Sequence, residues 1–241
     1  MSYFNDLFVL DTFTEQTKLF ELISVDDVLK IPVDSFLSAY EISLYDLVVA
    51  SKKDEWLAGR KAAKKCIVRI LNSHGHKTEQ KDIEIRNDDK GVPFFTLTES
   101  TDSLLIAMVN GYTSSISHCE GFAVASVMDS SEGGLGVDIE KIQKFKTGTV
   151  EAFMNKQEYD EYVKLEPLEQ NKWATVVWSL KEAYLKAIKQ GLRVHPKGIS
   201  FSKNTPKNTF SHIVHDNQKA VPASVYCSIY KEEFVITCIK I

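Results

Sequence analysis

Two long stretches with helical periodicity constrain the fold of this chain most strongly. Residues 54–73 place a row of apolar and small side chains on one stripe and lysines on the opposite side. Residues 171–191 repeat this pattern. When Lys181 is aligned with Lys64, the two apolar stripes stay in phase, whereas the outward positions differ in chemistry. The alignment predicts a duplicated unit in which one copy has been modified.

Short strand patterns accompany each long helix. The segment "IEIRNDDKGVPFFTL" predicts strand, turn and strand, because DDKG supplies turn residues. Three further strands are predicted at residues 114–118, 122–128 and 134–142, the last two joined as a hairpin. Residues 148–166 look helical, with Pro167 as a stop, and the C-terminal tail reads as two alternating strands around a charged turn.

These patterns together predict an α+β fold. The duplication predicts two similar halves, each with a long helix packed on a small antiparallel sheet. Asn110 and Gly111 mark a turn between the halves, which predicts lobes at residues 1–111 and 112–241.

Composition and charge disfavour several classes of protein. Hydrophobic residues make up 44% and charged residues 26%, as in an ordinary globular domain, and the net charge of -4 argues against a nucleic-acid binder. No apolar run reaches the roughly 18 residues of a membrane span, and the start lacks the features of a signal peptide. The four cysteines form no CxxC pair, which favours a reducing cytoplasm.

The segment "GLGVDIEKI" carries two acids inside an apolar run. Strand side chains alternate between faces, so Asp138 and Glu140 share one face while Val137 and Ile139 share the other. Two adjacent acids repel and are costly to bury without a positive partner. One interpretation is an edge strand with a polar outer face, and the other is a strand whose acids bind a cation.

The second long helix carries a further acid and a lysine on one face. Glu182 and Lys186 are four residues apart and are therefore neighbours. Taken alone, they are typical of a solvated ion pair. Taken with the strand, they suggest that Asp138, Glu140 and Glu182 converge on Mg²⁺, which prefers oxygen ligands, with Lys186 as a second positive charge for phosphoryl chemistry.

Two other polar residues stand out. His118 ends the strand "SISH", where a structural and a functional role are equally compatible with the sequence. Arg60 lies at the edge of the apolar stripe of the first helix, so it needs an anionic partner. A phosphate and an internal carboxylate are the two candidates.

Several of these segments resemble the 4'-phosphopantetheinyl transferases. "GVDIEKI" followed by "WSLKEAYLKA" is similar to the paired acidic motifs of the family, and "SISHCEGFAVAS", "EWLAGRKAA" and "KGVPFF" resemble its other conserved segments. Their order and spacing resemble the larger, Sfp-type branch, which carries two similar lobes in one chain. This resemblance implies lobes related by pseudo-twofold symmetry, with the active site between the lobes. The resemblance is clear over roughly residues 51–190.

The resemblance implies a defined reaction. Such an enzyme transfers the phosphopantetheine arm of coenzyme A to a serine of an acyl or peptidyl carrier protein and releases adenosine 3',5'-bisphosphate. It implies metal ligands at Asp138, Glu140 and Glu182, catalytic roles for Glu182, Lys186 and Glu140, and coenzyme A contacts at Arg60, Lys90, Gly91, Ser117, His118 and Lys186. The general base is either Glu182 or a water held by Glu140. The resemblance further implies no nucleic-acid or membrane partner and a monomer that completes its own site.

Two departures and two alternatives accompany this interpretation. The turn reads Gly91-Val92-Pro93 where the family often has a central lysine, and only Lys52 and Lys53 precede the helix as candidates for the 3'-phosphate. A metal-dependent phosphohydrolase and a non-catalytic module that binds coenzyme A or carrier protein are the alternative functions.

A candidate docking surface for an acidic carrier protein follows the metal strand. Residues 141–156 interleave lysines with apolar side chains. We expect Lys144 and Lys146 to steer the carrier, with Phe145 or Phe153 filling an apolar contact. The alternative is that the apolar residues pack inward.

Overall fold

The computed structural model describes residues 11–12, 20–89, 91–203, 212–217 and 219–241. Its strands are β1 (Asp11–Thr12), β2 (Glu21–Ser24), β3 (Ile83–Asn87), β4 (Pro93–Leu97), β5 (Tyr112–Cys119), β6 (Phe122–Asp129), β7 (Leu135–Lys141), β8 (Ile199–Lys203), β9 (His212–Asp216), β10 (Lys219–Tyr230) and β11 (Phe234–Lys240). Its α-helices are α1 (Val25–Val28), α2 (Ala39–Leu47), α3 (Lys53–Ser73), α4 (Ser103–Asn110), α5 (Thr147–Phe153), α6 (Lys156–Tyr162) and α7 (Pro167–Ala187). The predicted α+β class is confirmed.

The chain divides into two compact units at a different place from the predicted boundary. One unit spans residues 17–135, and the other combines residues 1–16 with 136–241. The division falls after Leu135 and not after residue 111, because β5 and β6 pair with strands of the first half. The segment 112–135, which we predicted in the second lobe, therefore belongs to the first unit.

The unit of residues 17–135 is a five-stranded sheet covered by α3. Its strand order is β2-β6-β5-β4-β3, and each neighbouring pair is antiparallel. The predicted helix at 54–73 and the predicted strand–turn–strand are confirmed as α3 and the β3–β4 hairpin. Ala62, Ala63 and Ile67 of α3 are buried in the core of this unit, which explains the apolar stripe.

The second unit packs α7 on another sheet. Its strand order is β7-β11-β10-β9-β8, with β1 paired in parallel to β10. The predicted hairpin of the strands at 122–128 and 134–142 is wrong, because β6 and β7 lie in different sheets. Instead, β7 is the end strand beside β11. Residues 148–166 form two short helices, and Pro167 opens α7 at its first turn.

A buried lysine links α3 to the capping box of α2. Lys64 Nζ donates to the Phe36 carbonyl at 2.7 Å and forms an ion pair with Glu41, and both charged side chains are fully buried. Glu41 closes a capping box with Ser38 at the start of α2. The buried pair therefore fixes the start of α2 against the long helix.

The second unit contains the same arrangement. Lys181 Nζ donates to the Phe153 carbonyl at 2.7 Å and to Glu158 at 2.6 Å, and Glu158 closes a capping box with Asn155 at the start of α6. In both units the lysine follows its glutamate by 23 residues and its carbonyl acceptor by 28. These shared spacings confirm the duplication that aligning Lys64 with Lys181 predicts. The pseudo-twofold symmetry and the active site between the lobes stay predictions.

The described helices include none with the length and apolar character that crossing a bilayer requires. Glu158 is buried and paired with Lys181.

Replacing Asn155 by Ala should lower the free energy of unfolding by about 1 kcal/mol, because its side chain accepts the Glu158 amide at 2.9 Å at the start of α6. Urea unfolding measures this change. Gln157→Ala, at an exposed position of the same helix, is the matched control and should have little effect. Equal losses in both variants would contradict the capping role.

Candidate functional site

Close packing of β7 on α7 builds the acidic part of the site. A Cβ at Gly136 would overlap the Ala183 carbonyl oxygen and lie 2.8 Å from the Ala187 nitrogen, so only glycine permits this approach of strand to helix. Asp138 and Glu140 lie on the same strand face as Gly136. The polar face of β7 therefore faces α7 and not solvent.

Asp138 is held by a lysine of α7. Lys186 Nζ donates to Asp138 Oδ1 at 2.7 Å and to the Val137 carbonyl at 3.1 Å, and Asp138 is 2% exposed. Lys186 thus donates hydrogen bonds to β7 and also attracts its helical neighbour Glu182 electrostatically. The interpretation of Lys186 as one half of a solvated surface pair is wrong.

Glu140 is held by a tryptophan one turn before Glu182. Trp178 Nε1 donates to Glu140 Oε1 at 3.1 Å. Burial and repulsion by Asp138 raise the pKa of Glu140 to about 7, although the Trp178 hydrogen bond and Lys186 oppose this change. The charged form of Glu140 is therefore short of favourable partners.

Glu182 experiences the same shortage. Burial raises its pKa, the attraction of Lys186 opposes the rise, and repulsion by Asp138 adds to it. Three carboxylates thus interact with Lys186. Such a group favours the binding of a cation.

The first unit contains a counterpart in which a single acid is paired with two basic residues. Arg69 of α3 forms an ion pair with Glu21 of β2, and the two residues are 48 apart in sequence, as are Lys186 and Asp138. Lys65 also pairs with Glu21 at 2.8 Å. In the second unit, by contrast, Lys186 interacts with three acids, namely Asp138, Glu140 and Glu182.

Oxygen ligands of this kind suit Mg²⁺, but they do not form a complete cage. In the described parts of the chain, no group of three His, Cys, Asp or Glu side chains lies close enough to hold a metal ion. Asp138, Glu140 and Glu182 interact electrostatically without the predicted convergence on one point. Their role as metal ligands stays a prediction.

The predicted coenzyme A residues of the first unit include His118 on β5. His118 Nδ1 lies 3.0 Å from Glu55 Oε2, and Lys52 Nζ donates to the same carboxylate oxygen at 3.1 Å. His118 is part of an accessible ionic cluster, because its side chain is 41% exposed. Ser117 precedes it on β5 and is buried.

Arg60, Gly91 and Lys90 were the other predicted contacts in this unit. Arg60 is buried, with Nε 3.7 Å from Glu41 Oε1 and its guanidinium 4.5 Å from the Trp56 ring centroid. It therefore has the internal carboxylate that the sequence offered as one alternative. Gly91 lies in the β3–β4 turn with a φ of 80°, which favours glycine. Lys90 lies outside the described residues.

The predicted docking segment is only partly accessible. Lys144 and Lys146 are exposed, but Phe153 is 2% exposed in the core of the second unit. Phe145 is half-buried and packs against Phe153 with ring centroids 5.7 Å apart. The expectation that Phe153 contacts a carrier protein is wrong, because that ring is covered by its own unit.

Sequence reasoning missed Trp178, Glu55 and the buried pairing of Lys181 with Glu158. Trp178 could have been found, because it lies four residues before Glu182 and thus on the same helix face. Lys181 and Glu55 had no such signal. Their partners Glu158 and His118 are distant in sequence, so only the fold brings them together.

Comparison with known proteins places the acidic motifs in a described family. The model of the 4'-phosphopantetheinyl transferase superfamily matches residues 134–239. A holo-[acyl-carrier-protein] synthase of Streptococcus sanguinis is 33% identical over 92 residues, which cover 38% of this chain and 70% of that protein.

The similarity extends beyond the second unit. The 4'-phosphopantetheinyl transferase gsp of Aneurinibacillus migulanus is 23% identical over 185 residues, which cover 76% of this chain and 66% of that protein.

Among solved structures, holo-[acyl-carrier-protein] synthase of Helicobacter pylori in complex with coenzyme A matches with a TM-score of 0.37 and 26% identity. That match covers 46% of this chain and 97% of the other.

Proposed function

The chain belongs to the 4'-phosphopantetheinyl transferase superfamily, and we propose that it transfers the 4'-phosphopantetheine arm of coenzyme A to a serine hydroxyl of an apo carrier protein. The observation that carries this proposal is the group of Asp138, Glu140 and Glu182 around Lys186. At the corresponding place in the first unit, one acid, Glu21, pairs with Lys65 and Arg69.

We further propose that this group of acids binds Mg²⁺, with Asp138, Glu140 and Glu182 as its candidate ligands. Mg²⁺ is commonly held by one or two carboxylates together with waters and substrate phosphates. An incomplete protein cage is therefore compatible with an ion that arrives with coenzyme A. When bound, the ion would neutralise charge on the pyrophosphate oxygens.

Residues of the chain would stabilise the charge that develops during transfer and accept the serine proton. The serine oxygen attacks the phosphorus that carries the pantetheine arm, and the bond to adenosine 3',5'-bisphosphate breaks. Lys186 and His118 would stabilise negative charge on the pyrophosphate. The serine proton would pass to Glu182 or to a water held by Glu140. We propose Arg60, Lys90, Gly91 and Ser117 as further contacts to coenzyme A.

The proposed setting is the cytoplasm, and the proposed form is a monomer in which one chain supplies both sets of residues. The carrier partner would be an acyl or peptidyl carrier protein that presents its serine at a helix start. The acidic net charge of -4 favours neither nucleic acid nor long-range attraction to an acidic carrier.

A mass measurement tests the transfer directly. Apo carrier protein is incubated with the full-length chain, coenzyme A and Mg²⁺, and intact masses are recorded. We expect the phosphopantetheine increment on the carrier serine, and no increment when coenzyme A is omitted or EDTA is added. Release of adenosine 3',5'-bisphosphate without carrier would favour the phosphohydrolase alternative. The absence of both products would favour the non-catalytic alternative.

Charge reversal tests the proposed carrier surface. The double variant Lys144→Glu, Lys146→Glu should raise the apparent KM for carrier protein by roughly tenfold and leave the KM for coenzyme A unchanged, because exposed charges steer association. The defect should shrink at about 1 M salt, where screening acts beyond roughly 3 Å.

A double variant with the same change in net charge provides the control for this surface. Lys77→Glu, Lys81→Glu alters two exposed lysines of the other unit and should leave both KM values unchanged. Unaltered carrier kinetics in the Lys144 and Lys146 variant at low salt would show that docking takes place elsewhere.

A further inference from the structure

The hydrogen bond from Trp178 to Glu140 is a contact that the proposed chemistry does not yet use. Trp178 Nε1 lies 3.1 Å from Glu140 Oε1, and the indole is half-buried on α7. Glu182 follows one helical turn later on the same face. The tryptophan thus reaches one acid of the site from the helix that carries another.

The indole of Trp178 packs against a buried aromatic ring. Its ring centroid lies 5.2 Å from that of Phe153, which is buried in the core of the second unit. The Phe153 carbonyl accepts a hydrogen bond from Lys181, which is paired with Glu158. A packed side chain has few accessible rotamers, so the N–H group of Trp178 points in one direction.

The carboxylate that receives this bond belongs to the acidic face of β7. Glu140 is half-buried and lies on the same strand face as Asp138. The Trp178 N–H group donates to its Oε1 at 3.1 Å. It also restricts Glu140 to one orientation, which a ligand of a divalent cation requires.

In the first unit, α3 and β2 correspond to α7 and β7, but they carry no counterpart of this hydrogen-bonded pair. Relative to the buried lysine, the position of Trp178 corresponds to Lys61 on α3. Relative to Glu21, the counterpart of Asp138, the position of Glu140 corresponds to Ile23 on β2. The first unit thus has neither the acid nor its indole donor at the corresponding positions. The hydrogen-bonded pair is therefore not a requirement of the shared frame.

We propose that Trp178 is a positioning residue that orients the Glu140 carboxylate toward the divalent cation of the site. This inference rests on the proposed function, because it takes the carboxylate group as the cation site. It assigns Phe153 a supporting role beneath the indole. That role replaces the carrier contact expected for Phe153 from the sequence.

Binding of Mn²⁺ to the full-length protein, followed by electron paramagnetic resonance of the free ion, tests this assignment without an activity assay. Trp178→Phe keeps a ring against Phe153 but removes the N–H donor. We expect Mn²⁺ affinity to fall about tenfold or more, as for other groups that orient metal ligands. The melting temperature should change little, since the ring packing remains.

Trp173→Phe is the matched control. It removes an indole N–H bond from the same helix, but that bond goes to the Glu158 carbonyl at 3.0 Å, away from the acids. Mn²⁺ affinity should stay unchanged even if the buried position lowers the melting temperature. If this variant fails to fold, Trp56→Phe in the other unit replaces it as the control.

A double variant tests whether Trp178 acts through Glu140. In a Glu140→Ala background, Trp178→Phe should cause no additional loss of Mn²⁺ affinity, because its acceptor is gone. Wild-type affinity in Trp178→Phe, an equal loss in Trp173→Phe, or no Mn²⁺ binding by the wild-type protein would each overturn the inference. Failure of phosphopantetheine transfer with the expected Mn²⁺ pattern would contradict only the proposed function.

Discussion

Replacing Glu182 by Gln is expected to reduce transfer at least about 100-fold without unfolding the protein, because the variant loses a candidate metal ligand and general base. The substitution keeps the shape of the side chain but removes one of three negative charges near Lys186. Because burial raises the pKa of Glu182, its charge opposes folding, and the melting temperature in metal-free buffer should not fall below that of the wild type. Intact-mass kinetics and thermal unfolding measure the two effects separately.

The control for this substitution lies on the same helix. Glu169→Gln changes an exposed acid in the first turn of α7 and should leave transfer and melting unchanged. Full transfer in Glu182→Gln, or wild-type transfer undiminished by EDTA, would show that the acids do not act through a metal. A loss of transfer accompanied by an equal loss of folded protein would show that Glu182 is a structural residue.

Gly136→Ala should destabilise the protein by more than about 3 kcal/mol, at or beyond the usual range for overpacking. The added methyl group would overlap the Ala183 carbonyl oxygen and approach the Ala187 nitrogen at 2.8 Å. Both atoms belong to the backbone of α7, so no side-chain rotation can relieve the overlap. The strand must move away from the helix, and Asp138 must move with it.

Urea unfolding and transfer assays test this expectation together. Transfer should be lost even in any fraction that stays folded, because the distance from Asp138 to Lys186 depends on the same approach. Gly148→Ala is the control, since no atom lies within 4 Å of a Cβ there and the position is within α5. That variant should gain roughly 0.5 to 1 kcal/mol from helix propensity. An unchanged unfolding midpoint in Gly136→Ala would contradict the close packing.

Local patterns were sufficient where the interacting residues are close in sequence. The apolar period of residues 54–73 predicts α3, and the DDKG turn predicts the β3–β4 hairpin, because helix periodicity and turn residues are local properties. The alignment of Lys64 with Lys181 was also sufficient to predict the duplication. The face shared by Glu182 and Lys186 follows from helix geometry alone.

Pairings between distant residues were not accessible in this way. β6 and β7 are adjacent in sequence and carry turn residues between them, yet β6 pairs with β2 and β7 lies beside β11. Two strands joined by a short connection satisfy hairpin rules equally well whether or not they pair. The boundary between the units was misplaced for the same reason.

The sequence by itself determined which residues make up the candidate site: an acid pair two residues apart on a strand, and an acid and a lysine four residues apart on a helix. Only the tertiary structure decided which charges meet. In the structure, Lys186 pairs with Asp138, and Trp178 donates a hydrogen bond to Glu140. Lys181 is buried in an ion pair with Glu158. The physical reason is that the energy of a charge depends on its neighbours and its burial, and both are set by contacts across tens of residues.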